Sequence, residues 1–443
     1  MATEPSLPPG PRMPSALQTL GWWTRSIPMM ERARARYGNR WTLRLSATPP
    51  FVMLSDPEWI RELFTAPPDV LHPGEGARIL EPIVGSRSVL LLDEREHLEQ
   101  RKLMLPAFHG ERMERLADLV TETAERAVAD WPTGVEIELH PRLQALTLEV
   151  ILRAVFGLEP GERLDLMRER LTTILDWGSR PIGLLPPLQL ELGGIGPWAG
   201  FQRLRAAVDE PLYELIAERR TEQADRDDVL AMLLEARHED GSPMTDEELR
   251  DELMTLLVAG HETTASQLAW TFQRLGRAPD VVARLRDEID AGDSSDYLEA
   301  TVRESLRSRP VLPNVAPRLV KHPVELGGWL YPAGVCLVGN AYLIHHDAAI
   351  YPDPYAFRPQ RFLDSDPGTY TWIPFGGGRR RCLGAGFAML EMKVLLRVVF
   401  AACERRAAGD RLELSRRRSI TLSPRAGARA VLTPRTREPA VAA

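Results

Sequence analysis

The chain has 443 residues, 44% of them apolar, enough for a large buried core. A formal net charge of −7 excludes wholesale attraction to nucleic acid or to anionic lipid. Its three cysteines, Cys336, Cys382 and Cys403, form no CxxC pair, which argues against a disulfide scaffold and for a reducing, cytoplasmic setting.

The N-terminus has no charged segment followed by an apolar run, so no signal peptide is expected. No window reaches about 18 uncharged apolar residues, and the best one, 387–403, is broken by Glu391, Lys393 and Arg397, so no membrane span is expected. There is no repeat of fixed period and no Gly/Ser linker. We expect an extended Pro-rich lead-in over 1–14, a single domain over 15–435 and a frayed tail over 436–443.

In chain order, Phe51–Leu54 reads as a strand, and Ser55-Asp56-Pro57 starts a helix behind it. Residues 93–104, 111–131 and 140–157 alternate charged and apolar residues at helical spacing. Segment 177–198 differs, because prolines and glycines interrupt its Trp, Leu and Ile. It reads as an apolar loop or broken helix, either a lid at an entrance for apolar ligands or a loop tucked onto the core. Thr245 and Glu248 have capping-box spacing and open a helix of about 30 residues, through Trp270 to Leu275, long enough to cross a whole domain. Asp296 and Glu299 open the helix of Glu304 and Arg307 in the same way. Short β-prone runs follow at 324–330, 335–339, 419–422 and 429–432. The fold class is mainly α with a minor β portion (α+β).

The stretch Phe375-Gly376-Gly377-Gly378-Arg379-Arg380-Arg381-Cys382-Leu383-Gly384 carries the most chemistry. A Gly-rich turn delivers a cysteine to the start of a helix at about 383–403. Helix N-termini and nearby arginines both stabilise anions, so Cys382 should be a thiolate, as an electron-donating iron ligand must be. The glycines would let the backbone pass a flat cofactor, and Phe375 would keep water off the sulfur. A dinucleotide-binding reading of Gly384-Ala385-Gly386 fails on Met389 and on the lack of a Val/Ile strand ahead of it.

Ala259-Gly260-His261-Glu262-Thr263-Thr264 lies inside the long helix. Gly260 removes a side chain where something must approach, Thr263 can bend the helix by bonding its own backbone, and Glu262 is an acid in an apolar stretch. Glu304 and Arg307 share a helix face, as do His97 and Arg101. His109, His261, His345 and His346 read as structural; the two adjacent ones point apart, against a metal site. Cys336 reads as a core strand residue and Cys403 as a core residue late in a helix.

The cysteine segment resembles the haem-binding loop of the cytochrome P-450 family, Phe-x-x-Gly-x-Arg-x-Cys-x-Gly, at every fixed position, and the other motifs follow in the family's order from about residue 7 to 435. The resemblance implies haem b (iron protoporphyrin IX), with Cys382 as its iron ligand and Phe375, Gly378, Gly384, Ala259 and Gly260 near it. His97, Arg101, Arg318 and Arg380 would bind the propionates. It implies an oxygen-activation groove in which Thr263 hydrogen-bonds dioxygen and water while Glu262 gates protons. Glu304, Arg307 and Arg361 would form a buried structural triad; the family often has Glu where Gln360 stands here. Matched positions place Ser88, Val89, Val258, Ala259, Leu312, Ile420 and Thr421 in the substrate pocket. They are mostly apolar and without fixed charge, so the expected substrate is hydrophobic: a terpenoid, steroid, fatty acid or polyketide-like molecule.

The implied activity is monooxygenation with O2. The stretch after Cys382 is too short for a fused flavin reductase, so electrons from NAD(P)H would come through a ferredoxin or flavodoxin and its reductase. That partner would dock on a basic face including Lys102, Arg379 and Arg381. A monomer is expected. The alternatives are a peroxide-driven peroxygenase and a haem-binding sensor without turnover; Glu262 and Thr263 together argue against both.

Overall fold

The computed structural model of the protein describes residues 4–108, 112–178, 196–222, 226–292, 294–409 and 411–435. Most of the apolar segment 177–198, together with His109 and the tail 436–443, lies outside these residues. The fold is mainly helical with four small sheets among the described residues.

The central helix, Asp246–Leu275, organises the rest. Thr245 caps it with a full capping box: its hydroxyl receives the Glu248 amide, and Glu248 in turn accepts from the Thr245 amide. Asp246, Glu247 and Glu248 place negative charge at the positive end of the helix dipole. Its 30 residues span about 45 Å. Residues 249–257 and 264–275 are buried, which a helix apolar on one face could not achieve, so other helices cover it all round. These include Leu139–Ala154, Pro197–Thr221, Asp296–Ser308 and the cysteine helix Ala385–Ala402.

The expected strand forms as Phe51–Leu54. It pairs antiparallel with Arg40–Leu43 and parallel with Cys336–Gly339 (Val52 opposite Leu337). Arg318–Val320 and Leu71–His72 complete a five-stranded sheet. Asp56 accepts the Glu58 amide at 3.0 Å and caps the helix Pro57–Thr65 behind it. Two expectations need correction. Cys403 does not end a helix but opens the strand Cys403–Ala407, paired with Ala430–Pro434. The helix Asp296–Ser308 is not closed by Asp296: Ser295 is its N-cap without a side-chain bond, and Glu288 of the preceding helix accepts the Tyr297 and Leu298 amides at 2.7 and 2.9 Å. A cap supplied by another helix leaves no local sequence mark.

Glu304 and Arg307 are completely buried. Arg307 grips the carboxylate with Nε and Nη2 at 2.7 and 2.8 Å, Arg361 Nε lies 3.2 Å away, and the Arg358 amide donates at 2.8 Å. Arg307 also donates to the carbonyls of His345, Pro354 and Ala356 at 2.7, 2.9 and 3.2 Å. His345 Nε2 accepts the Ile373 amide at 3.0 Å, two residues before Phe375. Segment 352–361 and the approach to the cysteine loop therefore hang on one ion cluster. His346 stacks on Tyr342 at 4.1 Å, so the two histidines do point apart.

Arg307→Leu leaves the Glu304 charge buried beside fewer donors and should lower stability by about 3–5 kcal/mol. The double variant with Glu304→Leu should lose less than the two single losses combined. Denaturant titration checks both; a single-variant loss below about 1 kcal/mol would contradict this account.

Candidate active site

The cysteine loop is closed by the Cys382 amide, which donates to the Phe375 carbonyl at 3.0 Å, and Gly384 caps the helix that follows. The Phe375 ring stands edge-on to Trp372, centroids 6.0 Å apart. Gly378 has φ +62°, a left-handed value that side chains resist. The atoms that crowd these glycines are protein atoms. A Cβ on Gly377 would lie 2.3 Å from the Phe64 ring, and one on Gly378 would lie 2.4 Å from the Phe64 carbonyl. The space a side chain on Gly378 would need is taken by the end of the helix Pro57–Thr65.

The Cys382 side chain has open surface, yet protein surrounds it closely enough to desolvate it, as at the floor of a recess. Burial pushes its thiol above the ordinary value, against the opposing pull of the Gly384 amide, Arg101 and Arg381. Helix terminus and arginines favour the expected thiolate while burial opposes it, and a metal cation bonded to the sulfur would hold it ionised.

A second recess is lined by Phe64, Asp93, His97, Arg318, Arg379 and Arg380, among others. His97 is buried, and desolvation together with Arg380 and Arg101 pulls it down to about 3, so the ring is neutral. Arg318 is buried, donates to the Leu63 carbonyl and lies 5.1 Å from the Phe64 ring centroid. Among the described residues no carboxylate pairs with Arg318, and burial lowers it to about 10. Arg380 donates to Asp93 at 2.7 Å, to the Val89 carbonyl at 3.2 Å and to the Leu92 carbonyl. Arg101 acts on both His97 and Cys382.

Asp93 was not foreseen. Besides Arg380 it accepts the Gly74 and Glu75 amides at 2.8 and 2.9 Å. With His72 and Glu75 it has the spacing of a metal site, but Lys321 lies 2.7 Å from Glu75 and Arg380 already holds Asp93, so the cations are side chains.

Beyond its first turn the central helix is uncovered only near its middle: Ala259 is exposed, and Val258, Gly260, Glu262 and Thr263 are half-buried. Thr263 Oγ1 donates to the Ala259 carbonyl at 2.5 Å, the helix-bending bond expected of it. Gly260 sits at a close approach: a Cβ there would lie 2.9 Å from Ile151 Cδ1 of the helix Leu139–Ala154. Glu262 accepts from Gln144 at 2.6 Å and from Ser266 at 2.8 Å, with His140 at 3.4 Å and Arg418 Nε at 3.5 Å. Burial works against its charge, but His140, Arg418 and Ser266 outweigh that and hold it down at about 2. His261 is buried, bonds Thr147 at 3.0 Å and is pulled down to about 4, mainly by desolvation.

Among the expected pocket residues, Ser88 is buried with its hydroxyl bonded to Thr255 at 2.6 Å, Val89 is buried, and Thr421 donates to the Arg418 carbonyl at 2.8 Å. Leu312 and Ile420 keep open surface, as do Val258 and Ala259. Two buried acids were missed. Glu391, on the cysteine helix, is raised to about 8 by burial despite a bond to Thr264 of the central helix; its clue was an acid in an apolar run. The other, Glu252, is likewise raised to about 8.

The profile of the family described as Cytochrome P450 matches residues 5–425. A Mycobacterium tuberculosis protein named, provisionally, cytochrome P450 135B1 is 38% identical over 430 residues, 96% of this chain and 90% of that relative. Cytochrome P450 138 of the same organism, a name of the same standing, is 38% identical over 432 residues, 96% of either chain. The solved structure of retinoic acid bound cyanobacterial CYP120A1 has a TM-score of 0.84 and covers 97% of this chain and 100% of its own; at 24% identity the likeness is one of fold.

The depressed Glu262 gives a signed pH test. Its stabilisation is complete above the unfolded value near 4.5 and is lost as pH falls through about 2. Glu262→Gln should cost about 1.5–3 kcal/mol at pH 7, the range for bonds to a charged group. That difference should shrink steadily in unfolding measured from about pH 4.5 downward; a constant difference would contradict the charged state.

Proposed function

The chain belongs to the cytochrome P450 family, and from that membership we propose a haem-dependent monooxygenase that places one oxygen atom of O2 in a hydrophobic small molecule. The observation that carries this reading is the recessed Cys382 together with the buried Arg318, which has no carboxylate partner among the described residues.

The residues fit haem b. Cys382 offers a sulfur for the iron. Arg318, a buried cation without a carboxylate partner among the described residues, suits a propionate, with Arg380 and the neutral His97 as further donors. When bound, haem supplies the reductive chemistry on O2, with electron density from the thiolate.

Thr263 gives its proton to the Ala259 carbonyl, so its hydroxyl faces the groove as an acceptor that can hold a water. Glu262 is a carboxylate at working pH, so it orients incoming water and does not store a proton. Arg418 links it to Asp176, which is more than half exposed, and this line leads in from solvent. Val258, Ala259, Leu312 and Ile420 offer apolar surface without charge, which favours a terpenoid, steroid, fatty acid or polyketide-like substrate. Electrons would come from a ferredoxin or flavodoxin docking on the exposed Arg379 and Arg381. Lys102, also exposed, pairs with Glu239 at 3.0 Å and so adds less free charge to that face.

The reduced, haem-loaded protein under carbon monoxide should absorb at about 450 nm, and Cys382→Ser should abolish that band. A band at about 420 nm in folded protein would overturn the reading. Thr263→Ala should keep the band while product formed per NADH falls by about tenfold or more, the balance appearing as peroxide.

A further inference from the structure

Segment 85–92 connects the short helix Glu81–Val84 to the helix Glu94–Met104, and side chains of the central helix hold its backbone. Asp251 accepts the Arg87 amide at 2.8 Å, Glu252 accepts the Val89 amide at 2.7 Å, and the Ser88 and Thr255 hydroxyls are hydrogen-bonded at 2.6 Å. Arg380 donates to the Val89 carbonyl at 3.2 Å, so both backbone groups of Val89 are held. Gly85 has φ +87°, and a Cβ there would lie 1.9 Å from Asp251 Oδ1. Asp251 is braced by Arg250 at 2.9 Å, and Arg250 reaches Asp209 of the helix Pro197–Thr221.

Outside this segment an open cleft of about 520 Å³ is lined by Arg78, Glu81, Gly85, Ser86, Tyr213 and Asp251. Thr255, bonded to Ser88, lies one helical turn before the open surface at Val258–Gly260. Gly85 and Ser86 at the cleft and Ser88 at Thr255 make the segment a wall that runs from the cleft toward that stretch.

We propose that Asp251 and Glu252 are positioning residues that latch this wall to the central helix, and that the latch sets how bulky a ligand reaches the uncovered stretch. The proposal rests on the monooxygenase reading, because that reading makes the stretch a ligand site. A group as buried as Glu252 is expected to be neutral: burial pushes it up to about 8, with Asp251 and Glu248 adding to the rise against the Val89 amide and Gln100. A neutral acid can hand its acceptor role to glutamine and cannot hand it to leucine.

The test uses the full haem-loaded chain. In unmodified protein, hydrogen exchange at the Arg87 and Val89 amides should be at least about tenfold slower than at Ser86. Glu252→Leu should speed Val89 about tenfold, Glu252→Gln should hold it within about twofold, and Gly85→Ala should free Arg87. Spectral titration with imidazole and 4-phenylimidazole should show the affinity ratio shifting by about tenfold toward the bulkier probe in Glu252→Leu and Gly85→Ala, with the 450 nm band kept and the glutamine variant unchanged. Arg87 and Val89 amides exchanging as freely as Ser86, or an unmoved ratio in a folded variant, overturns the latch. If Glu252→Leu fails to fold, the unmodified protein and Gly85→Ala still decide. Loss of the 450 nm band in unmodified protein defeats the monooxygenase reading, while exchange still judges the latch.

Discussion

A carboxylate with no access to water must be surrounded by donors, and Glu304 is surrounded by Arg307, Arg361 and the Arg358 amide. The cluster then does more than neutralise itself. Arg307 has donors left after gripping Glu304, and these pin the carbonyls of His345, Pro354 and Ala356. His345 in turn holds the Ile373 amide. Through these bonds a helix far from Cys382 in sequence fixes where the cysteine loop starts. Arginine is suited to this because its planar fork can serve a carboxylate and several carbonyls together, which a lysine could not.

The acids around the central helix divide by environment, although their chemistry is the same. Glu252 and Glu391 are enclosed with few donors, and burial drives both up to about 8. Glu262 is also crowded, yet His140, Arg418, Ser266 and Gln144 converge on it and hold it near 2. The first pair are neutral hydrogen-bonding groups at working pH, and the third is a fixed charge. The cations show the converse. Arg318 is enclosed without a carboxylate among the described residues, and such a group favours an anion brought from outside the chain.

The glycines mark where backbone contacts are tightest, and their nearest neighbours come from other segments of the chain. Phe64 presses on Gly377 and Gly378, Ile151 on Gly260, and Asp251 on Gly85. A glycine announces that something comes close; its sequence neighbours do not say what.

Some of this was legible in one dimension. The capping box at Thr245 and Glu248, the strand Phe51–Leu54 and the capped helix after Asp56 are local features whose partners lie within a few residues, so composition and spacing suffice. The cysteine loop is equally local: turn, sulfur and helix start lie within one short run. The acceptor that caps Asp296–Ser308 belongs to the preceding helix, and the groups that ionise Glu262, leave Glu252 neutral and hold segment 85–92 come from segments far apart in the chain. The sequence alone determined the helical frame, the family's motifs and the sulfur that defines the site. Only the tertiary structure decided the charge on each buried acid and the neighbour of each glycine, because desolvation and hydrogen bonding depend on what surrounds a group in space and not on what precedes it in the chain.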